Sequence, residues 1–264
     1  MNKISASAKE LRILINDAYD ILNGGTEKGG VSIFQNNKNL IKEHFERDGI
    51  NTEIKLILID SLYSTNANKS IGATKDIASA IDEYLECNPK LDFDKFAEDL
   101  KKDSDTGLYN LFKKPYGKKD AQAISLISKF FYFYTGFQFP IYDSYLRDML
   151  HQFLSNNNSK KSKQSLKEIN TYFPSIRKFY RAVGLSNDKD KYDKIDAFGW
   201  LLGKIKTNKN VFYYIENTSD PEEKNIKKLN KLFCDLNNHG FLTVTEKNKY
   251  EDNRNNYYKD QKLK

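Results

Sequence analysis

The sequence predicts an all-α protein with a small β element near its C-terminus. Three observations predict it. Apolar residues recur at helical spacing through most of the 264 residues, glycine and polar runs break that spacing at intervals, and strand-like alternation is scarce before residue 210. The length suits one two-lobed domain or two small ones, with enough chain for a core.

The elements follow in order. Residues 5–22 place Leu11, Leu14, Ile15, Ala18 and Leu22 on one face, and NGGTEKGG (23–30) ends that helix. A second helix is expected over 32–46. A third starts with Thr52 as N-cap, runs through Ile54, Leu58 and Leu62, and stops at SLYSTNANKS. A fourth spans 74–86, with Cys87 as a helix-end residue before Asn88-Pro89. Short helices are expected at 92–101 and 105–113.

The central stretch KDAQAISLISKFFYFY (119–134) is strongly apolar and predicts a buried helix. Pro140 disfavours helix at Phe139. Asp143 stands at an N-cap position and opens DSYLRDMLHQFL, with Tyr145, Leu146, Met149 and Leu150 inside. A polar, basic loop covers 156–163. A helix over 164–183 is expected to kink or split at Pro174, and an amphipathic helix follows over 190–205. Then NVFYYIE and FLTVTEK read as strands around a lysine-rich helix at 222–238, and the charged chain from Lys247 reads as frayed. The division expected is 1–205, with a cleft near 117–147, and a lysine-rich extension over 206–264.

Composition excludes several classes. With 39% hydrophobic and 13% aromatic residues the chain is not disordered. A mean hydropathy of −0.73 and the absence of a long apolar run speak against a membrane span. The charged start MNKISASAKELRILI is unlike a secretory signal, which suits a cytoplasmic protein with no membrane partner. Two cysteines, Cys87 and Cys234, make neither a disulfide framework nor a four-cysteine cluster. HExxH, CxxC, P-loop and GxSxG motifs are absent, and His44, His151 and His239 have no ligand-spaced partner. Nothing calls for a metal or an organic cofactor.

The net charge is +7, with six arginines among 43 basic residues. That bias also follows from AT-rich coding, so charge alone does not select nucleic acid as the partner. Two basic clusters, 101–119 and 160–181, flank the central helix; they are either a phosphate footprint or solvated helix faces.

The residues that could carry chemistry are Lys129 and Asp143. A lysine inside an apolar helix either snorkels outward or presents an amine whose burial lowers its pKa and makes it nucleophilic. An aspartate at a helix start is either a cap or a fixed negative charge.

Here SKFFYFYTGFQFPIYDSYLRDML resembles the nucleophile-to-aspartate stretch of the helix-hairpin-helix base-excision DNA glycosylases. Lys129 and Asp143 match the family's lysine and aspartate. A bacterial glycosylase-like branch of that superfamily is more similar still, through Tyr63-Ser64-Thr65, Ser128-Lys129, Phe139 to Ser144, and Asp196, Trp200 and Gly203-Lys204. The matches are short and span roughly 55–205. They imply a two-lobed helical glycosylase-like fold and release of a damaged or modified base from double-stranded DNA, in repair or in defence against foreign (phage) DNA. In this reading Lys129 attacks the anomeric carbon, with or without lyase activity, and Asp143 stabilises the positive sugar. Tyr63, Tyr142 and Trp200 stack on an extruded base or serve the core. Lys118, Lys119, Arg147 and Lys204 contact phosphate; Arg147 alternatively pairs with Asp143. The family's glycine-rich hairpin is reduced here to Gly117, and the lysine-to-aspartate spacing is shorter than in typical members. Two alternatives stand beside it: a nucleic-acid-binding protein without catalysis on the same scaffold, and a regulatory factor whose basic faces meet an acidic protein partner.

Overall fold

Ser7 and Glu10 open the first helix by trading hydrogen bonds. The Glu10 carboxylate accepts the Ser7 N–H at 2.7 Å and the Glu10 N–H reaches the Ser7 hydroxyl at 3.3 Å. This satisfies two of the donors that every helix start leaves without intrahelical partners. The computed structural model describes residues 4–23, 33–63, 73–102, 106–117, 121–156, 163–207, 211–215 and 224–262. They are mostly helical. In chain order the elements are α1 (Ala8–Asn23), α2 (Ile33–Glu46), α3 (Thr52–Leu62), α4 (Thr74–Cys87), α5 (Phe93–Asp99), α6 (Gly107–Lys113), β1 (Pro115–Tyr116), β2 (Ala121–Gln122), α7 (Ile124–Tyr134), α8 (Ser144–Asn156), α9 (Ile169–Ala182), α10 (Lys191–Lys206), α11 (Val211–Ile215), α12 (Lys224–Asn238) and α13 (Val244–Lys262). Short 3₁₀ turns cover Leu100–Lys102 and Ser165–Lys167.

Caps explain the boundaries. Asn51, rather than Thr52, caps α3: its side chain accepts from the Ile54 N–H at 2.9 Å. Asp92 and Thr106 do the same for α5 and α6. Three helices end on glycines of positive φ, Gly136, Gly184 and Gly240. At each, the N–H of the following residue returns to the carbonyl five residues back: Phe137 to Tyr132, Leu185 to Tyr180 and Phe241 to Leu236.

The expected β element near the C-terminus is corrected. Residues 211–215 are helical. Thr243 and Glu246 form a second reciprocal cap, with the Thr243 N–H on the Glu246 carboxylate at 2.7 Å, and this launches α13 through Lys262 where a frayed tail was expected. The sheet among the described residues lies earlier. It is the antiparallel pair Pro115↔Gln122 and Tyr116↔Ala121, which delays α7 from the expected Lys119 to Ile124. Pro174 neither splits nor ends α9.

The chain forms two compact units, each discontinuous in sequence. Unit 1 comprises Met1–Asn36, Ser144–Lys163 and Phe179–Lys264; unit 2 comprises Asn37–Asp143 and Gln164–Lys178. In unit 1, α1 packs on α10 and α12, and α10 also takes α8 and α13. The described residues beyond Lys206 contribute to the packing of this unit: Phe233 and Tyr250 stack at 3.8 Å, and Tyr250 donates to Asn230 Oδ1. Burial pushes the Tyr250 phenol up from its ordinary pKa. In unit 2, α3 packs on α4 and α7, and α6 on α4 and α7. Phe96, Phe112, Phe131, Phe139 and Phe173 make its aromatic centre.

Candidate functional site

In unit 2, nearly every side chain of α7 is buried, and Lys129 is 4% exposed. The snorkelling alternative therefore does not hold. The Lys129 ammonium lies 5.4 Å from the centroid of the Tyr63 ring, and Tyr63 closes α3 by donating its N–H to Ile59 at 2.9 Å. The same ring meets Phe133 edge-on. A cation over an aromatic face recovers part of what desolvation costs. Two of the residues singled out by the sequence, Lys129 and Tyr63, thus meet. Ser64 and Thr65 lie outside the described residues.

A second buried lysine went unnoticed in the sequence. Lys38 of α2 is fully buried, with its amine 5.3 Å from the Tyr132 ring and 5.2 Å from the Phe137 ring. The signal was its place on the stripe Phe34, Lys38, Ile41, Phe45, where the helical spacing calls for an apolar residue.

The loop from Thr135 to Asp143 is fixed at several points. The Phe137 N–H donates to Tyr132 at 2.7 Å although Phe137 itself adopts a φ of 69°. Further on, the Tyr172 hydroxyl donates to the Ile141 carbonyl at 2.6 Å, the Tyr142 N–H donates to the Ser128 hydroxyl at 2.9 Å, and the Tyr142 hydroxyl donates to the Lys167 carbonyl at 2.8 Å. The Tyr142 and Tyr172 rings sit 4.7 Å apart. Tyr142 is thus a buried anchor of the loop. Asp143, half-buried, immediately precedes α8. One hydrogen bond therefore joins the residue before Lys129 to the residue before Asp143.

Arg147, Trp200 and Lys204 lie in unit 1. Arg147 is half-buried on α8. Trp200 on α10 is flanked by Phe34, at 4.9 Å between ring centroids, and by the Lys204 ammonium at 5.0 Å. Asp196, one turn before Trp200, is 2% exposed. The glycines of this helix have a packing reason: a Cβ on Gly199 would overlap Leu146, and one on Gly203 would overlap the Tyr145 ring. Both let α8 approach α10 closely.

The basic clusters are partly neutralised. Arg177 pairs with Asp94 at 2.9 Å and Glu98 at 3.4 Å, Lys113 with Glu168 at 2.8 Å, and Lys163 with Asp148 at 2.8 Å. Lys118 and Lys119 lie outside the described residues, beyond Gly117. Among the described residues no group of three or more His, Cys, Asp or Glu is placed to hold a metal ion. No described helix is long and apolar enough to cross a membrane. Cys87 and Cys234 are free and exposed.

No family model, no curated protein and no solved structure matches the chain.

Proposed function

We propose that the chain is a DNA N-glycosylase-like enzyme that releases a damaged or modified base from double-stranded DNA, in repair or in defence against foreign DNA. The observation that supports this reading most is the bond between Ser128 and Tyr142, which holds the Lys129 and Asp143 backbones in a fixed relation. Such preorganisation is what a nucleophile and a charge-stabilising carboxylate need. Breaking the N-glycosidic bond builds positive charge on the sugar, and Asp143 stabilises it. Lys129, once deprotonated, attacks the anomeric carbon, and the base leaves with the bonding pair. Tyr63, over the Lys129 ammonium, stacks on the extruded base.

The test is borohydride trapping on duplexes carrying abasic, oxidised, deaminated or alkylated bases. A covalent adduct with the wild-type chain, lost in Lys129→Gln, is expected, together with loss of base release in Asp143→Asn. Full base release by both variants would overturn the reading.

One observation favours a second reading, a nucleic-acid-binding protein without catalysis. Lys129 is 4% exposed beneath Tyr63, as a structural lysine would be. That reading expects binding that weakens as salt rises, with no base release and no effect of Asp143→Asn. Binding indifferent to salt would count against it.

A further inference from the structure

Unit 1 holds a cavity of about 160 Å³ that uses neither Lys129 nor Asp143. Its walls come from α8 (Asp148, His151, Gln152), the end of α10 (Lys206), the turn before α13 (Phe241) and the first turn of α13 (Glu246).

Lys206 is set into this wall by a short relay. Its Nζ donates to Gln152 Oε1 at 2.6 Å, and Gln152 Nε2 donates to the Phe241 carbonyl at 3.0 Å. The relay fixes the Gln152 amide, so a neutral carbonyl oxygen faces the lysine. Both carboxylates of the cavity are engaged elsewhere. Asp148 pairs with Lys163, and Glu246 accepts the Thr243 N–H. Among the described residues no carboxylate forms an ion pair with Lys206. Burial lowers the Lys206 pKa below its ordinary value; Glu246 and Asp148 at longer range oppose that shift and Lys163 adds to it. A desolvated amine beside an open volume is the arrangement that makes a lysine a nucleophile toward carbonyl carbon.

We infer that this cavity takes a small aldehyde, bound reversibly as an imine on Lys206. The amine nitrogen adds to the carbonyl carbon, and the resulting carbinolamine expels its hydroxyl as water. Overall an ammonium and an aldehyde give an iminium and one water, with no net proton exchange and no redox change. His151 and Glu246 line the volume in which those protons move.

The experiment is competitive labelling of the full chain. The protein is treated with propanal and cyanoborohydride at pH 7 to low conversion, and each lysine is read by peptide mass mapping, with the N-terminal amine left out of the comparison. Lys206 is expected to label severalfold faster than the exposed Lys227 and Lys228, because burial favours its neutral amine. Gln152→Glu places a carboxylate against the ammonium and is expected to bring Lys206 to the rate of the surface lysines, with the helical circular dichroism unchanged. Labelling of Lys206 no faster than Lys227 in the wild-type chain overturns the inference, as does a Gln152→Glu variant, folded, that keeps the wild-type rate. DNA trapping is indifferent to this site, so Lys206→Gln is expected to leave any adduct on Lys129 intact.

Discussion

The side-chain oxygen of Ser128 accepts the backbone N–H of Tyr142 at 2.9 Å, fourteen residues further along the chain, while its own proton goes to the Ser125 carbonyl at 3.0 Å. Both residues are buried. The hydroxyl therefore serves as acceptor and donor at once, and the loop cannot shift along α7 without stranding a buried donor.

Removing that oxygen tests the tie. Ser128→Ala leaves the Tyr142 N–H buried without its partner, which costs about 1–3 kcal/mol. Urea denaturation reads the loss. A variant as stable as the wild type would show that the loop's other hydrogen bonds hold it without Ser128.

Gly136 separates backbone strain from crowding. Its φ is +59°, and a Cβ there would meet nothing within 4 Å. Gly136→Ala is expected to cost about 1 kcal/mol through the backbone alone. A loss several times larger would mean that the end of α7 is packed more tightly than its open surroundings indicate.

Gly203 is the opposite case. Its backbone is ordinary, but a methyl group would overlap the Tyr145 ring. Gly203→Ala is expected to destabilise by about 1–3 kcal/mol. In a Tyr145→Ala background the same change should cost clearly less, and a double-mutant cycle measures the difference. Additive costs would show that α8 and α10 do not meet through this pair.

Lys206 gives a pH dependence with a definite sign. Its folded pKa lies below the 10.5 of a free lysine. Between those two values the unfolded chain binds more protons than the folded one, so stability rises with pH across that window. Lys206→Met removes this contribution. Wild-type stability measured in denaturant should gain on that of Lys206→Met as pH rises toward 10.5. Parallel curves would show that the amine is not desolvated.

Most helices were legible because their apolar stripes and caps agree, as in α1, where Leu11, Leu14, Ile15, Ala18 and Leu22 all lie inside. The exceptions have local causes. The alternation in FLTVTEK resembles a strand, but Thr243 and Glu246 stand at capping-box spacing and the cap prevails. Ala121 and Gln122 look like helix until Pro115 and Tyr116 come beside them, a pairing that no local pattern announces. At the candidate site, the burial of Lys129 was one of two readings that the apolar run allowed, whereas its contact with Tyr63 depends on how α3 meets α7. Lys38 was missed because a lysine on a helix reads as solvent-facing by default, and only its place between Phe34 and Ile41 speaks otherwise. Arg177 was read as part of a basic cluster, yet Asp94 and Glu98, some eighty residues earlier, hold it.

The discontinuous build of unit 1 imposes an order on synthesis. The helix Ala8–Asn23 leaves the ribosome well before the partners of its apolar face, which lie on Lys191–Lys206 and Lys224–Asn238, and the N–H of Ser5 is received by the carbonyl of His239. The apolar face of that helix therefore stays uncovered until Lys191–Lys206 has emerged, and only partly covered until Lys224–Asn238 follows. The chain of unit 2, complete at Lys178, has all its own partners well before that. A nascent chain from which residue 178 has just cleared the ribosome is thus expected to carry a folded second unit, with the helix Ala8–Asn23 still available to chaperones.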